Sequence, residues 1–293
     1  MDKFAVVVVH GIGPGTGEDR HEFSAALRDN VRKMIPSGLN LIWDEADWEG
    51  VNDKIDSIAG RVVQQLCSRY IDDVSSKLDS NGGNSGGAGN RLWRIICSFL
   101  SKTEKVGLHV KLEILKKAKQ CLPDIVDAAI DLPLYMQNPK QGEIRGIVSG
   151  AISAAAARAE KVVLIGHSLG SVIAFDVAEA VLSGNVLNHL AALVTMGSPL
   201  NWVTEIRRTV AGGAASVLCG DSIPWVNFWD PEDPVTEFKK LDSGLFPHVR
   251  NIEVKSGKKF IEAHCCYWNE KMIAESIAKM LAGDFEWINS LPK

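Results

Sequence analysis

The chain has 293 residues, 46% hydrophobic and 23% charged, enough to bury one substantial core as one large domain or one domain with an insertion. A formal net charge of −4 and a pI near 6.0 exclude a whole-molecule basic field that would draw it to nucleic acid or anionic lipid, and leave only local patches. The six cysteines, at 67, 97, 121, 219, 265 and 266, lack metal-ligand spacing and the adjacent pair suits no simple disulfide framework, so reduced thiols in the cytoplasm are expected.

Phe4 to Val9 is a continuous apolar run, too short for a secretory or spanning segment, and reads as a core strand. It ends in His10-Gly-Ile-Gly-Pro-Gly-Thr-Gly17, whose glycines imply unusual backbone or close contact with something. From Glu18 a helix is expected, because Phe23, Ala26, Leu27, Val31, Met34 and Ile35 recur at three and four residues. Leu39 to Trp43 reads as a second strand that stops at the acidic cluster Asp44, Glu45 and Asp47.

From about residue 50 to 140 the strand–helix alternation stops, and this stretch reads as a cap or lid insertion. Ile55 to Leu66 has a helical pattern, and Ser80 to Asn90 is a Gly-rich flexible loop by composition. Arg91 to Gln120 carries eight Lys/Arg and two Glu, with Leu92, Ile95, Ile96 and Phe99 as a helical apolar stripe. This fits a basic-faced helix packed on the domain, or a mobile lid drawn to an anionic membrane surface.

Regularity returns with an alanine-rich helix over Ile144 to Ala159, then the strand Val162 to Ile165, then Gly166-His-Ser-Leu-Gly170 and a helix after it. Ala191 to Met196, Ile223 to Trp229 and Val249 to Val254 are further strands. Trp268, Met272, Ile273, Ile277, Met280 and Leu281 space as one face of a C-terminal helix. Six strands separated by helices or long crossovers predict an α/β fold, a mainly parallel sheet with helices on both faces. Ligands of such sheets sit at the strands' carboxyl ends.

Gly166-x-Ser168-x-Gly170 is the nucleophile-elbow pattern. A strand that turns at once into a helix crowds the positions two before and two after the serine, which favours Gly166 and Gly170. Ser168 is thereby the candidate nucleophile, in a strained conformation at the positive end of a helix. A serine hydroxyl needs a base within reach and a group to orient that base. His264, expected in a loop between the last strand and the terminal helix, is the candidate base. His10 and His167, each beside a glycine in a tight turn, read as packing or loop-fixing residues. His21, His109, His189 and His248 have no supporting neighbours. The acid is expected from Asp230-Pro-Glu-Asp-Pro-Val235: Asp233 has enough chain to turn back, whereas Asp230 directly ends the strand and suits a turn cap, standing as the alternative acid. The oxyanion donors are the backbone N–H of Leu169 and, from the His10-Gly11-Ile12-Gly13 loop, that of Ile12. A phosphate role for that loop fails, since it has neither the Walker lysine nor Gly-x-Gly-x-x-Gly: residue 16 is threonine.

Together, the strand followed by His10-Gly11, Gly166-His-Ser-Leu-Gly170, Gly197-Ser-Pro199, Asp233-Pro-Val and Ala263-His-x-x-Tyr267-Trp resemble a lipase/esterase-type α/β hydrolase, with some similarity to intracellular phospholipase-like members. The resemblance covers about residues 1–50 and 140–285 and implies the family triad at Ser168, Asp233 and His264, with the oxyanion hole at Ile12 and Leu169. The family's first two strands have no counterpart here, and residues 50–140 match no part of the pattern. The implied function is hydrolysis of a lipid or other hydrophobic acyl ester through an acyl-enzyme, with no metal or other cofactor. The same residues would serve a thioesterase or acyltransferase, and a non-catalytic binding or scaffold protein on the same fold is the reading from another class.

Overall fold

The computed structural model describes residues 4–11, 17–37, 39–48, 135, 141–183, 189–201, 203–204, 207, 223–233, 235–259 and 261–291. The chain divides into two units, one of Met1–Val51 with Pro139–Lys293 and one of Asn52–Asn138. Of the described residues, Tyr135 alone lies in the second. The expectations for Ile55 to Leu66, the 80–90 loop and the lid at 91–120 fall outside the described residues.

β1 (Phe4–Val9) has no side chain more than 4% exposed. A strand buried on both faces has no use for a polar alternate position, hence the unbroken run. It joins β2 (Ile42–Ala46), β3 (Lys161–His167), β4 (Leu190–Met196), β5 (Trp225–Trp229) and β6 (Val249–Glu253) in one six-stranded sheet of order β2-β1-β3-β4-β5-β6. Every pairing is parallel, so the protein is α/β, as the alternation of elements predicts.

The helices whose full ranges are described are α1 (Gly17–Arg32), α2 (Gln141–Ala156), α3 (Leu169–Ser183), α4 (Ile261–Cys265), α5 (Lys271–Leu281) and α6 (Glu286–Asn289), with a 3₁₀ turn at Cys266–Asn269. Val6 and Val8 of β1, Val163 and Ile165 of β3, and Val194 and Met196 of β4 share a core with Leu27 of α1 and Ile277 of α5. Successive strand residues point to opposite faces. The intervening Ala5, Val7, Val162 and Leu164, also buried, lie on the face where α2 and α3 pack. Each fully buried valine or leucine contributes about 1.5–3 kcal/mol. No described helix is long and apolar enough to cross a membrane.

Three expectations are corrected. β2 runs Ile42–Ala46 and not Leu39 to Trp43, so Asp44 and Glu45 lie inside it. It is an edge strand with half-exposed side chains, and Asp44 there is ion-paired with Arg158. The C-terminal helix begins only at Lys271: Trp268 lies in the 3₁₀ turn, and His264 lies in the short helix α4, not in a loop.

The chain runs from β1 out to the β2 edge and then returns to place β3 on the other side of β1. This reversal makes the carboxyl ends of β1 and β3 the point where such a sheet opens a crevice. Register sets Val9 beside Gly166, His167 beside Met196, and Met196 beside Phe228. His10, Ser168, Gly197 and Asp230 therefore emerge along one end of the sheet.

Deeper in the same sheet, Thr195, Asn227 and Asn251 stand side by side on β4, β5 and β6. Thr195 Oγ1 donates to Asn227 Oδ1 at 2.9 Å, and Asn227 Nδ2 donates to Asn251 Oδ1 at 2.9 Å. Asn251 also accepts from Leu241 N–H at 3.1 Å and donates to the Leu241 carbonyl at 3.0 Å. Asn201 clamps the flanking residues, donating to the Lys240 carbonyl and accepting from Asp242 N–H. The loop that leaves Asp233 is thus tied down by side-chain amides acting as an extra strand's backbone would. Asn251→Ala strips partners from Leu241 N–H, Leu241 C=O and the Asn227 amide. At about 1–3 kcal/mol for each buried polar group left unpaired, urea denaturation should register a loss of at least about 3 kcal/mol. A loss below about 1 kcal/mol would contradict this account of the loop.

Candidate active site

Ser168 has φ 55, a left-handed conformation rare for a residue with a β-carbon. It occupies the single-residue link between β3 and α3, where the chain must reverse within one position. A β-carbon on Gly166 would lie 2.5 Å from Ser171 Cα and 2.6 Å from the Gly170 carbonyl oxygen. On Gly170 it would strike the carbonyl groups of Val9 and His10. The first glycine therefore serves the turn itself, and the second lets β1 end against it. Below the turn, Ser168 N–H donates to the Met196 carbonyl at 3.0 Å, and the Ser171 hydroxyl donates to the Ser168 carbonyl at 2.5 Å. Ser198, 2.8 Å from Ser171 Oγ, completes the support.

The chain leaving β1 crosses directly over this serine. A β-carbon on Gly11 would lie 2.5 Å from Ser168 Cβ and 3.1 Å from its Oγ, so only glycine fits. Ile12 and Gly13 fall outside the described residues. Leu169 is the first residue of α3. Its N–H has no carbonyl within the helix to bond, the state required of an oxyanion donor.

Asp233 and His264 are brought together. His264 Nδ1 lies 3.0 and 3.1 Å from the two Asp233 carboxylate oxygens, and both residues are buried. A carboxylate only accepts, so the imidazole proton is on Nδ1 and the lone pair of the neutral ring is on Nε2. Asp230 is bound elsewhere. It accepts from Glu232 N–H at 2.8 Å, Ser256 N–H at 3.1 Å and the Ser256 hydroxyl at 2.6 Å, capping its own turn and holding the chain after β6. The two residues that separate Asp230 from Asp233 let the second carboxylate turn back. The His264 ring lies close against Gly197, where φ is +55 and a β-carbon would come within 2.9 Å of Nδ1. Gly197 directly follows Met196, the residue that accepts from Ser168 N–H.

His167 packs as expected of it, but on the candidate base. The two rings are 4.6 Å apart, and His167 Nε2 donates to the His264 carbonyl at 2.9 Å. Burial first, and then the neighbouring His264 charge, hold its pKa well below 6.5, so it stays neutral beside the His264 ring. His10 stacks on Trp268 at 5.1 Å, and Trp268 in turn meets His167 edge-on at 5.2 Å. His10 Nε2 is 3.5 Å from Glu45 Oε2, too long for a good hydrogen bond, and the atom is buried without a hydrogen-bond partner among the described residues. Trp48 Nε1 donates to the His10 carbonyl at 3.0 Å.

Tyr267, Trp268 and Glu45 were not singled out as contributors from spacing. The available signal was weak: Tyr267 follows His264 at three residues, a spacing that shares a face only if the segment is helical. No protein-family model and no curated protein matches the chain.

The neutrality of His167 has a sign that can be measured. Below pH 6.5 the unfolded chain binds a proton at this residue and the folded protein does not, so acidification costs stability, by at most about 1.4 kcal/mol per pH unit. Urea denaturation of His167→Gln between about pH 6.5 and about pH 5 should show a shallower loss than wild type, with other titrating groups common to both. Equal slopes would mean that the ring is protonated in the folded protein.

Proposed function

We propose that the protein is a serine hydrolase of the α/β-hydrolase fold, of lipase or esterase type, cleaving carboxylic esters with a hydrophobic acyl chain. The observation that carries the proposal is the buried Asp233–His264 pair at the same sheet end as a serine held at φ 55. The strand order alone does not carry it, because flavodoxin-like sheets share the order 2-1-3-4-5; the side chains at the crevice are what support the hydrolase reading.

In the proposed reaction Ser168 Oγ attacks the ester carbonyl while His264 Nε2 takes its proton. Asp233 stays ionised, holds the tautomer and balances the imidazolium. The Leu169 N–H, with the Ile12 N–H, receives the oxyanion. The tetrahedral species collapses as the bond to the alcohol breaks, and His264 returns the proton to that alcohol. Water then attacks the acyl-enzyme, delivering its proton to His264, and the bond between the acyl carbon and Ser168 Oγ breaks as His264 returns that proton to Oγ, releasing the acid. No metal or other cofactor takes part. Residues 50–140 are proposed as the cap, with the +6 charge of Arg91 to Gln120 directing it to anionic lipid.

A fluorophosphonate probe tests the nucleophile. Labelling of the native protein that is lost in Ser168→Ala supports the proposal, and a folded protein that takes no label refutes it, leaving a binding or scaffold role. p-Nitrophenyl ester kinetics test the acid. Asp233→Asn should lose about 10,000-fold in kcat, the scale known for an asparagine that holds the imidazole in the wrong tautomer, and Asp230→Asn much less. The reverse ranking would reassign the acid to Asp230. Deletion of residues 80–120 should abolish binding to phosphatidylserine vesicles at low salt; unchanged binding would remove the membrane role.

A further inference from the structure

Asp233 has 0% exposure, and burying a carboxylate is costly unless its oxygens are bonded. Two of its donors are local or part of the proposed triad: Val235 N–H at 2.9 Å on Oδ1, and His264 Nδ1 across both oxygens. The third comes from outside. Tyr267 Oη lies 2.8 Å from Asp233 Oδ2, and Asp230 N–H lies 2.9 Å from the same Oη.

The direction of these bonds is fixed by chemistry. A backbone N–H can only donate, so it occupies a lone pair of the phenol, and the single hydroxyl proton must go to the carboxylate. Tyr267 therefore reads both ends of the Asp230-to-Asp233 turn, as acceptor at one and donor at the other. Its ring is equally constrained. A β-carbon on Gly197 would lie 2.9 Å from Tyr267 Cε2, the ring sits edge-on to His264 at 6.5 Å, and it lies 5.9 Å from His167. Burial first, then the Asp233 charge, push the phenol pKa well above 10, so it keeps its proton, and its donor capacity, through neutral pH.

We infer that Tyr267 is a positioning residue of the proposed hydrolase: its hydroxyl fixes the Asp233 carboxylate and sets how strongly that carboxylate holds the His264 imidazolium. This rests on the hydrolase reading of the same site. A carboxylate that gives up one donor concentrates its charge on the donors that remain. Without the phenol the imidazolium is held more tightly, and the base gives up its proton less readily.

The test compares wild type, Tyr267→Phe and Ser256→Ala by rate of fluorophosphonate labelling and of p-nitrophenyl ester hydrolysis across pH. Tyr267→Phe should be slower by about 10- to 100-fold at neutral pH, the scale of one hydrogen bond to a charged group, and the acid limb of its profile should move to higher pH. Ser256→Ala loosens the Asp230 end without touching Asp233, and should keep the wild-type limb whatever it does to stability. Tyr267→3-fluorotyrosine, a stronger donor, should move the limb to lower pH, and serves if the phenylalanine variant does not fold. A limb that stays in place in the folded tyrosine variants overturns the inference. Absence of labelling in folded wild type instead refutes the hydrolase reading. In that event the downfield proton signal of His264 Nδ1–H should still move on Tyr267→Phe, and a signal that does not move overturns the positioning role too.

Discussion

A charge with no exposure to water must be compensated in place, and Asp233 is such a charge. Its oxygens are met from three directions: the turn that carries it, the imidazole of α4 and the phenol of the 3₁₀ turn. None of the three donors is dispensable on ordinary desolvation costs. The loop after β5 and the segment after β6 must consequently close on each other, and that closure lays the His264 ring on Gly197. A further buried carboxylate with several partners, Asp176 of α3, follows the same rule by a different route. Arg207 meets both its oxygens at 2.8 and 2.7 Å and Arg145 one of them at 2.7 Å. That cluster joins α2 to α3 and has no part in the site.

The polar ladder Thr195–Asn227–Asn251 complements this arrangement from below. Parallel strands in register place identical backbone groups side by side, and here they place amide-bearing side chains side by side as well. Because each amide both donates and accepts, the row has a direction. It runs from Trp225 Nε1, which donates to Thr195 Oγ1 at 3.0 Å, out to the Leu241 backbone. The acid-bearing loop is thereby anchored at both ends by groups that tolerate little displacement, a condition for holding reacting groups within a fraction of an ångström.

Much of this was legible in the sequence, and the reasons are particular. β1, β3 and β4 are buried on both faces, so their apolar runs admit one reading. Gly166 and Gly170 are both sterically required, the first by the crowding expected within the turn and the second by the Val9 and His10 carbonyl groups of the chain leaving β1, which the turn pattern does not predict. Asp233 was preferred to Asp230 on chain length alone, and the hydrogen bonds divide the two residues in that way. β2 was misplaced by about three residues because an edge strand accepts carboxylates that a buried strand rejects. His264 was expected in a loop because a five-residue helix is too short to show periodicity. Tyr267 and His167 escaped a functional reading since their contacts join β3, β5 and α4, which no local pattern connects.

The contact between Gly11 and Ser168 also bears on how the molecule is made. Val9 pairs with Gly166, so the whole stretch between them must be synthesised before β1 gains its inner neighbour. Closing a loop of that length costs about 4–5 kcal/mol of chain entropy before any contact repays it. Pairings of such high sequence separation form slowly. Until then Phe4-Ala-Val-Val-Val-Val9 is a strand without charge, proline or partner on that side, the composition that seeds intermolecular β-pairing. The geometry that shelters the serine in the finished protein makes β1 the aggregation hazard of its folding.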